Sequence, residues 1–285
     1  MKHTWIITCS LLVLFFGAQV IGLKITQAYI NVPASAEQGK VVWNDLPFVE
    51  RPEVEPQFSI WYIIGAVIVG TLLILLIIRF AQMMLWKLWF YFAVTTCLTI
   101  ALAAFLPKTY SVVLALLLGW FKVFKPNLYV HNLTELFLYS GLAAIFVPIL
   151  NVFYAFILLV VLSLYDMYAV WHSKHMIKMA KFQTASGVFA GLMIPYSAPA
   201  FKGPKKKVRT AVLGGGDIGF PLIFAGTVLA VSGFVPALII SLGATAALLV
   251  LLLLSQKDKF YPAMPFLTLG CTAGFLVIKY ALHLI

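Results

Sequence analysis

The stretch 149–172, ILNVFYAFILLVVLSLYDMYAVWH, and the stretch 211–231, AVLGGGDIGFPLIFAGTVLAV, decide how this chain is read, because each is a membrane-length apolar run holding a single acid, Asp166 or Asp217. A helix needs about 20 apolar residues to cross a hydrocarbon core of roughly 30 Å. An ionisable group inside such a span costs on the order of 3 kcal/mol by insertion scales, so each aspartate requires a reason to be there. One reason is helix packing through a protonated carboxyl. The other is chemistry.

The rest of the sequence supports a membrane setting. Of 285 residues, 63% are hydrophobic and 10% charged, and the mean hydropathy is +1.03. Apolar runs between polar or Pro/Gly breaks predict an all-α polytopic fold forming one transmembrane domain over 1–285, with about nine spans near 4–23, 59–80, 84–106, 109–122, 133–147, 149–172, 211–231, 233–254 and 261–283. Lys2 ahead of an apolar stretch with Gly17 and Ala18 also fits a secretory signal, but the run continues through Val20, Ile21 and Leu23, long enough to span. Cys9, Cys97 and Cys271 are odd in number and lie in apolar runs, which excludes a disulfide framework or a cysteine zinc site.

A net charge of +11 would point to nucleic acid in a soluble protein; here it sets orientation. With the N-terminus inside, only Lys24, Lys40, Arg51, Lys108 and Lys279 of the 20 Lys/Arg fall outside, and the other 15 are cytoplasmic. The stretch 24–58, with five acids and four prolines, is then an irregular external loop. The stretch 173–210 is a cytoplasmic loop with eight Lys/Arg and no acid, suited to anionic lipid headgroups.

Each aspartate lies six residues from the cytoplasmic end of its predicted span, or about 9 Å at 1.5 Å per residue. The two carboxyls are therefore expected to face each other at one depth, share a proton and titrate as a coupled pair. Such a pair takes a proton from water with one carboxyl and gives one to a carbonyl oxygen with the other, with neither role assignable from sequence. Gly214-Gly215-Gly216-Asp217-Ile218-Gly219 fits the dinucleotide pattern by spacing alone, because no strand is predicted before it and the next acid, Asp258, is too distant. Three glycines at a helix start instead admit close approach of another chain and of water, or tight helix packing.

Tyr165-Asp166 in one span, Gly214-x-Gly216-Asp217 in the next and Pro262-Ala263-Met264-Pro265 opening the last together resemble the presenilin and signal-peptide-peptidase group of intramembrane aspartyl proteases, most of all its archaeal members. The stretch from Tyr165 to Val170 and Lys174-His175-Met176 are similar too. The resemblance implies an intramembrane aspartic endopeptidase in an archaeal cell membrane, with Asp166 and Asp217 catalytic and Tyr165, Gly214 and Gly216 supporting the active site. It implies that Pro262, Ala263 and Met264 shape the substrate cleft; Met264 replaces the family's usual leucine, a near volume-conserving change. Residues 189–197, FAGLMIPYS, resemble a segment that runs beside substrate, with Leu192, Met193 and Ile194 as an edge for an unwound substrate strand.

The implied reaction is hydrolysis of a peptide bond within a transmembrane segment near the cytoplasmic face, after local unwinding of the substrate helix. Its partners are transmembrane helical substrates and the lipid bilayer, with no nucleic acid and no cofactor beyond water; the oligomeric state stays open. His172 and His175 lack acidic or cysteine companions, so no metal is implied. Two alternatives use the same carboxyls. A prepilin peptidase shares the G-x-G-D signature but carries a lysine where Gly219 stands. A proton-coupled transporter or ion-leak channel would use Asp166 and Asp217 as a relay.

Overall fold

The computed structural model describes residues 4–80, 82–172, 182–183, 187–196, 210–256 and 261–281. Ten α-helices and one two-stranded sheet are present among them. In chain order these are α1 (Trp5–Ala28), α2 (Val32–Gln38), α3 (Pro56–Arg79), α4 (Met83–Ala103), α5 (Lys108–Phe124), α6 (Leu128–Phe146), α7 (Val152–Met167), β1 (Gly191–Pro195), β2 (Thr210–Gly214), α8 (Gly215–Ser232), α9 (Phe234–Leu254) and α10 (Met264–Leu276). Seven of the helices are long and apolar enough to cross a bilayer. The all-α expectation is thus corrected by a small antiparallel sheet, Gly191 opposite Gly214 through Pro195 opposite Thr210.

Helix boundaries follow local chemistry. Asn127 and Asn151 cap α6 and α7, accepting the Tyr129 and Tyr154 amides at 2.9 and 2.8 Å. The cap moves the start of α6 to Leu128, upstream of the predicted 133, because His131, Asn132 and Glu135 are carried inside the helix. The span predicted at 211–231 divides: Thr210–Gly214 is strand, and the helix begins only at Gly215.

The core lies where α1, α6, α7, α8, α9 and α10 meet. Helix α1 belongs to its centre, with Leu11, Phe15 and Ala18 fully enclosed. Small residues let backbones approach in the absence of a hydrophobic driving force between helices. At the crossing of α9 and α10, a Cβ at Gly270 would lie 2.6 Å from that of Ala247, and one at Gly274 would lie 2.9 Å from the Ile240 Cα. Helix α3 is peripheral and turns Ile68, Val69, Leu72 and Leu76 outward, a surface suited to acyl chains rather than water.

The loop expected to be irregular between 24 and 58 is folded. It holds the tail of α1, the helix α2 capped by Asn31, and a bridge between Ile30 and Trp43. Arg51 ties it down, donating to the carbonyls of Asn44 at 2.6 Å and Ala144 at 3.3 Å. Tyr29 donates its hydroxyl to the Ile100 carbonyl at 2.7 Å, and burial pushes its ionisation up to about 12 despite the opposing pull of nearby Arg51.

Candidate active site

Asp166 keeps its expected depth, six residues before the end of the helical span Val152–His172, whereas Asp217 sits at a helix start rather than six residues inside. Asp217 is the third residue of α8, and its carboxylate reaches back to the backbone N–H of Gly214, the N-cap residue. This is the acid half of a capping box, in which the third helical side chain satisfies the cap residue's amide. A Cβ on Gly214 would stand 3.1 Å from the Asp217 Oδ2. Gly216 meets only Phe220, at 3.4 Å from such a Cβ, and is exposed.

Asp166 is buried near the end of α7, just before the helix widens into a π-turn at Tyr168–His172. Its Oδ2 accepts the Met264 amide at 3.1 Å, and the Ala263 amide bonds the same carboxyl. Tyr261 and Pro262 are not helical, so α10 starts at Met264 with Pro265 in its first turn, where a missing N–H costs nothing. The carboxylate thereby caps α10, satisfying donors that no intrahelical carbonyl reaches. One turn further along each helix, Ser163 Oγ and Thr268 Oγ1 are 2.7 Å apart, and Thr268 also donates to the Leu159 carbonyl at 3.3 Å. These rungs fix the antiparallel register of α7 on α10.

Two helix N-termini therefore converge on the pair, and Asp217 lies within electrostatic range of Asp166. The structure brings Asp166, Asp217, Gly214, Ala263 and Met264 together. Tyr165 adjoins Asp166 in sequence and is half-buried. Lys174, His175 and Met176 lie outside the described residues, as does most of the basic stretch 173–210.

Leu192, Met193 and Ile194 form the middle of β1. Leu192 is fully enclosed in the core, and Met193 is bonded on its outer side by the Asn132 side chain, which donates to its carbonyl at 2.7 Å and accepts its amide at 3.0 Å. Directly opposed antiparallel residues exchange both backbone bonds or neither, so Met193 and Val212 are a non-bonded pair and the Val212 N–H and C=O point away from β1. Gly191 and Gly214 obey the same alternation: the Gly191 carbonyl accepts from His131 at 2.8 Å, and the Gly214 N–H goes to Asp217. The outer edge of β2 therefore leads from Val212, 42% exposed, to the Asp217 carboxyl. Gly191 is required at its position by φ +143 and by the Leu213 carbonyl lying where a Cβ would be.

A family model described as signal-peptide peptidase, presenilin aspartyl protease matches residues 36–283. The chain belongs to that family. The protease is similar in fold, over nearly its whole length, to two solved structures of a presenilin family intramembrane aspartate protease. One, in space group C222, is 19% identical with a TM-score of 0.62, covering 96% of this chain and 97% of that one. The other, in P2, is 20% identical with a TM-score of 0.62, covering 95% and 97%. A search of curated proteins finds no match. The protease is thus an intramembrane aspartic endopeptidase, a multi-pass membrane protein that acts on transmembrane substrates.

Sequence reasoning missed one polar cluster in this protease. Lys122, counted above as cytoplasmic at the end of the predicted span 109–122, is buried, with its Nζ 2.5 Å from the Glu135 Oε1 and 3.2 Å from the Thr134 hydroxyl. Tyr139 donates its hydroxyl to the other Glu135 oxygen. The available signal was the four-residue spacing of His131, Glu135 and Tyr139, which puts three polar groups on one face of an apolar helix.

Proposed function

We propose that Asp166 and Asp217 are the catalytic dyad of this protease, and that it cuts a substrate transmembrane segment held as a strand along the outer edge of β2. The observation that carries the proposal is the continuity of that edge with the Asp217 carboxyl through Val212 and Gly214. An unwound substrate exposes amides that a helix keeps in its own ladder, and an added strand supplies them with partners while guiding the scissile carbonyl toward the dyad. One carboxyl takes a proton from the attacking water as the other protonates the carbonyl oxygen. Leu192 and Ile194 then support the pairing strand from β1, and Pro262, Ala263 and Met264 border the cleft through their hold on Asp166.

The proposal includes nine crossings with the N-terminus inside, in a cell membrane of archaeal type. Helix α5 and helix α10 with its following π-turn are short, at about 26 Å each, which the bilayer accommodates by local thinning. Setting buried Lys122 aside leaves 14 loop Lys/Arg inside against 5 outside, so the orientation argument is unaltered. Strand β1 lies within the basic stretch 173–210 and β2 begins at its end, which supports cleavage near the cytoplasmic face.

Cysteine crosslinking tests the edge. A single cysteine at Val212 is expected to trap a bound transmembrane substrate close to its cut site, while one at Leu192 is not. Trapping from Leu192 alone would refute pairing on β2.

A further inference from the structure

We propose that the polar face of α6, neutralised by Lys122, is a positioning device for the catalytic strand and helix start, with Tyr139 as the positioning residue for Asp217. This rests on the dyad reading above and adds to it a source of alignment outside the helices that carry the aspartates.

The face makes three contacts with the Asp217 scaffold. The His131 ring donates from Nε2 to the Gly191 carbonyl at 2.8 Å, which fixes its tautomer and leaves Nδ1 toward Lys122 Nζ at 3.4 Å. Asn132 holds both backbone groups of Met193. Tyr139 lies across Gly215 and Gly219: a Cβ at Gly215 would be 2.8 Å from the ring Cε1 and nearer still to the hydroxyl, and one at Gly219 would be 3.5 Å from Cδ1. Its ring therefore occupies the groove left by two glycines one turn apart, on either side of Asp217 in sequence. Tyr139 is also within electrostatic range of Asp217.

The ion pair explains how the ring is held. Glu135 accepts the Tyr139 hydroxyl with one oxygen and the Lys122 ammonium with the other, and all three side chains are enclosed. A buried ion pair is poor stabilisation, because well-packed apolar residues of similar volume serve as well or better. What an apolar pair cannot do is fix the direction of the Tyr139 hydroxyl. That direction sets how far the ring enters the Gly215 groove, and so where the first turn of α8 presents its carboxyl. The glycine at 215, which the G-x-G-D signature leaves unspecified, is explained by the same contact.

Three variants in the reconstituted protease, with wild type and Asp217→Asn as active and inactive references, test this. Tyr139→Phe keeps the ring and removes the directed hydroxyl; its kcat is expected to fall about ten-fold or more with KM within about two-fold, the pattern of an interaction made in the transition state. Its affinity for a hydroxyl-bearing transition-state analogue should fall by a similar factor, while the lost bond to Glu135 lowers its melting temperature by less than Lys122→Met does. Lys122→Met leaves Glu135 unpaired and is expected to unfold readily. Lys122→Met/Glu135→Leu should recover the melting temperature yet keep the low kcat of Tyr139→Phe. A Tyr139→Phe enzyme with wild-type kcat and inhibitor affinity would overturn the proposal, as would a double variant that recovers stability and activity together. If wild type itself yields no product, the protease reading fails instead.

Discussion

The Asp166 carboxyl accepts the Met264 amide at 3.1 Å, so a predicted catalytic acid is also the N-terminal cap of a neighbouring helix. Asp217 does the equivalent for its own helix through Gly214. The two requirements separate by substitution. Asn at 166 keeps an oxygen for the amide and removes the acid, so Asp166→Asn is expected to retain its melting temperature and lose cleavage. Asp166→Ala strands the α10 amides as well, and should cost a further 1–3 kcal/mol, about the penalty for an unsatisfied buried donor. Thermal unfolding in detergent beside a cleavage assay checks both.

The edge of β2 makes a contrast between adjacent residues. Val212 points its N–H away from β1, so Val212→Pro is expected to leave the hairpin intact and lower cleavage about ten-fold or more, since proline only removes a donor there. Ala211 is in the alternate, hydrogen-bonded register with Ile194, so Ala211→Pro should break the hairpin and lower the melting temperature as well. Equal behaviour of the two variants would refute the assignment of edges.

Helix packing predicts a second contrast. Gly270→Val drives a side chain into the Gly243 carbonyl and the Ala247 methyl and should destabilise by about 2 kcal/mol or more. Gly70→Val on peripheral α3 meets nothing within 4 Å and should fall within about 0.5 kcal/mol of wild type. Denaturant titration of the purified variants reads both.

Tyr29 predicts an alkaline limb. Its ionisation is raised by burial from 10.0 to about 12, so the folded state binds the phenolic proton more tightly than the unfolded chain does. The associated stability is complete below pH 10 and is lost as pH rises toward 12. Tyr29→Phe should flatten that limb in a pH series of melting temperatures, at the loss of the bond to the Ile100 carbonyl.

The apolar runs made the helices legible, because membrane length is a strong signal, and the two lone acids made the candidate site legible. The hairpin was not, because Thr210–Leu213 is a short apolar run joined directly to a helix, and periodicity over four residues cannot separate strand from helix. That error put Asp217 six residues into a span when it is at the third helical position. Lys122 and Glu135 escaped because they belong to different helices, and only the turn between α5 and α6 brings them together. The folded character of 24–58 escaped because Arg51 finds its partner at Ala144, on another helix.

The most direct test of the central claim is cleavage by the purified protein, reconstituted in liposomes with a substrate bearing one transmembrane helix, with products identified by mass spectrometry. Wild type should release fragments cut inside the transmembrane segment near its cytoplasmic end, while Asp166→Ala and Asp217→Ala each release none. Undiminished cleavage by either single variant would contradict the account.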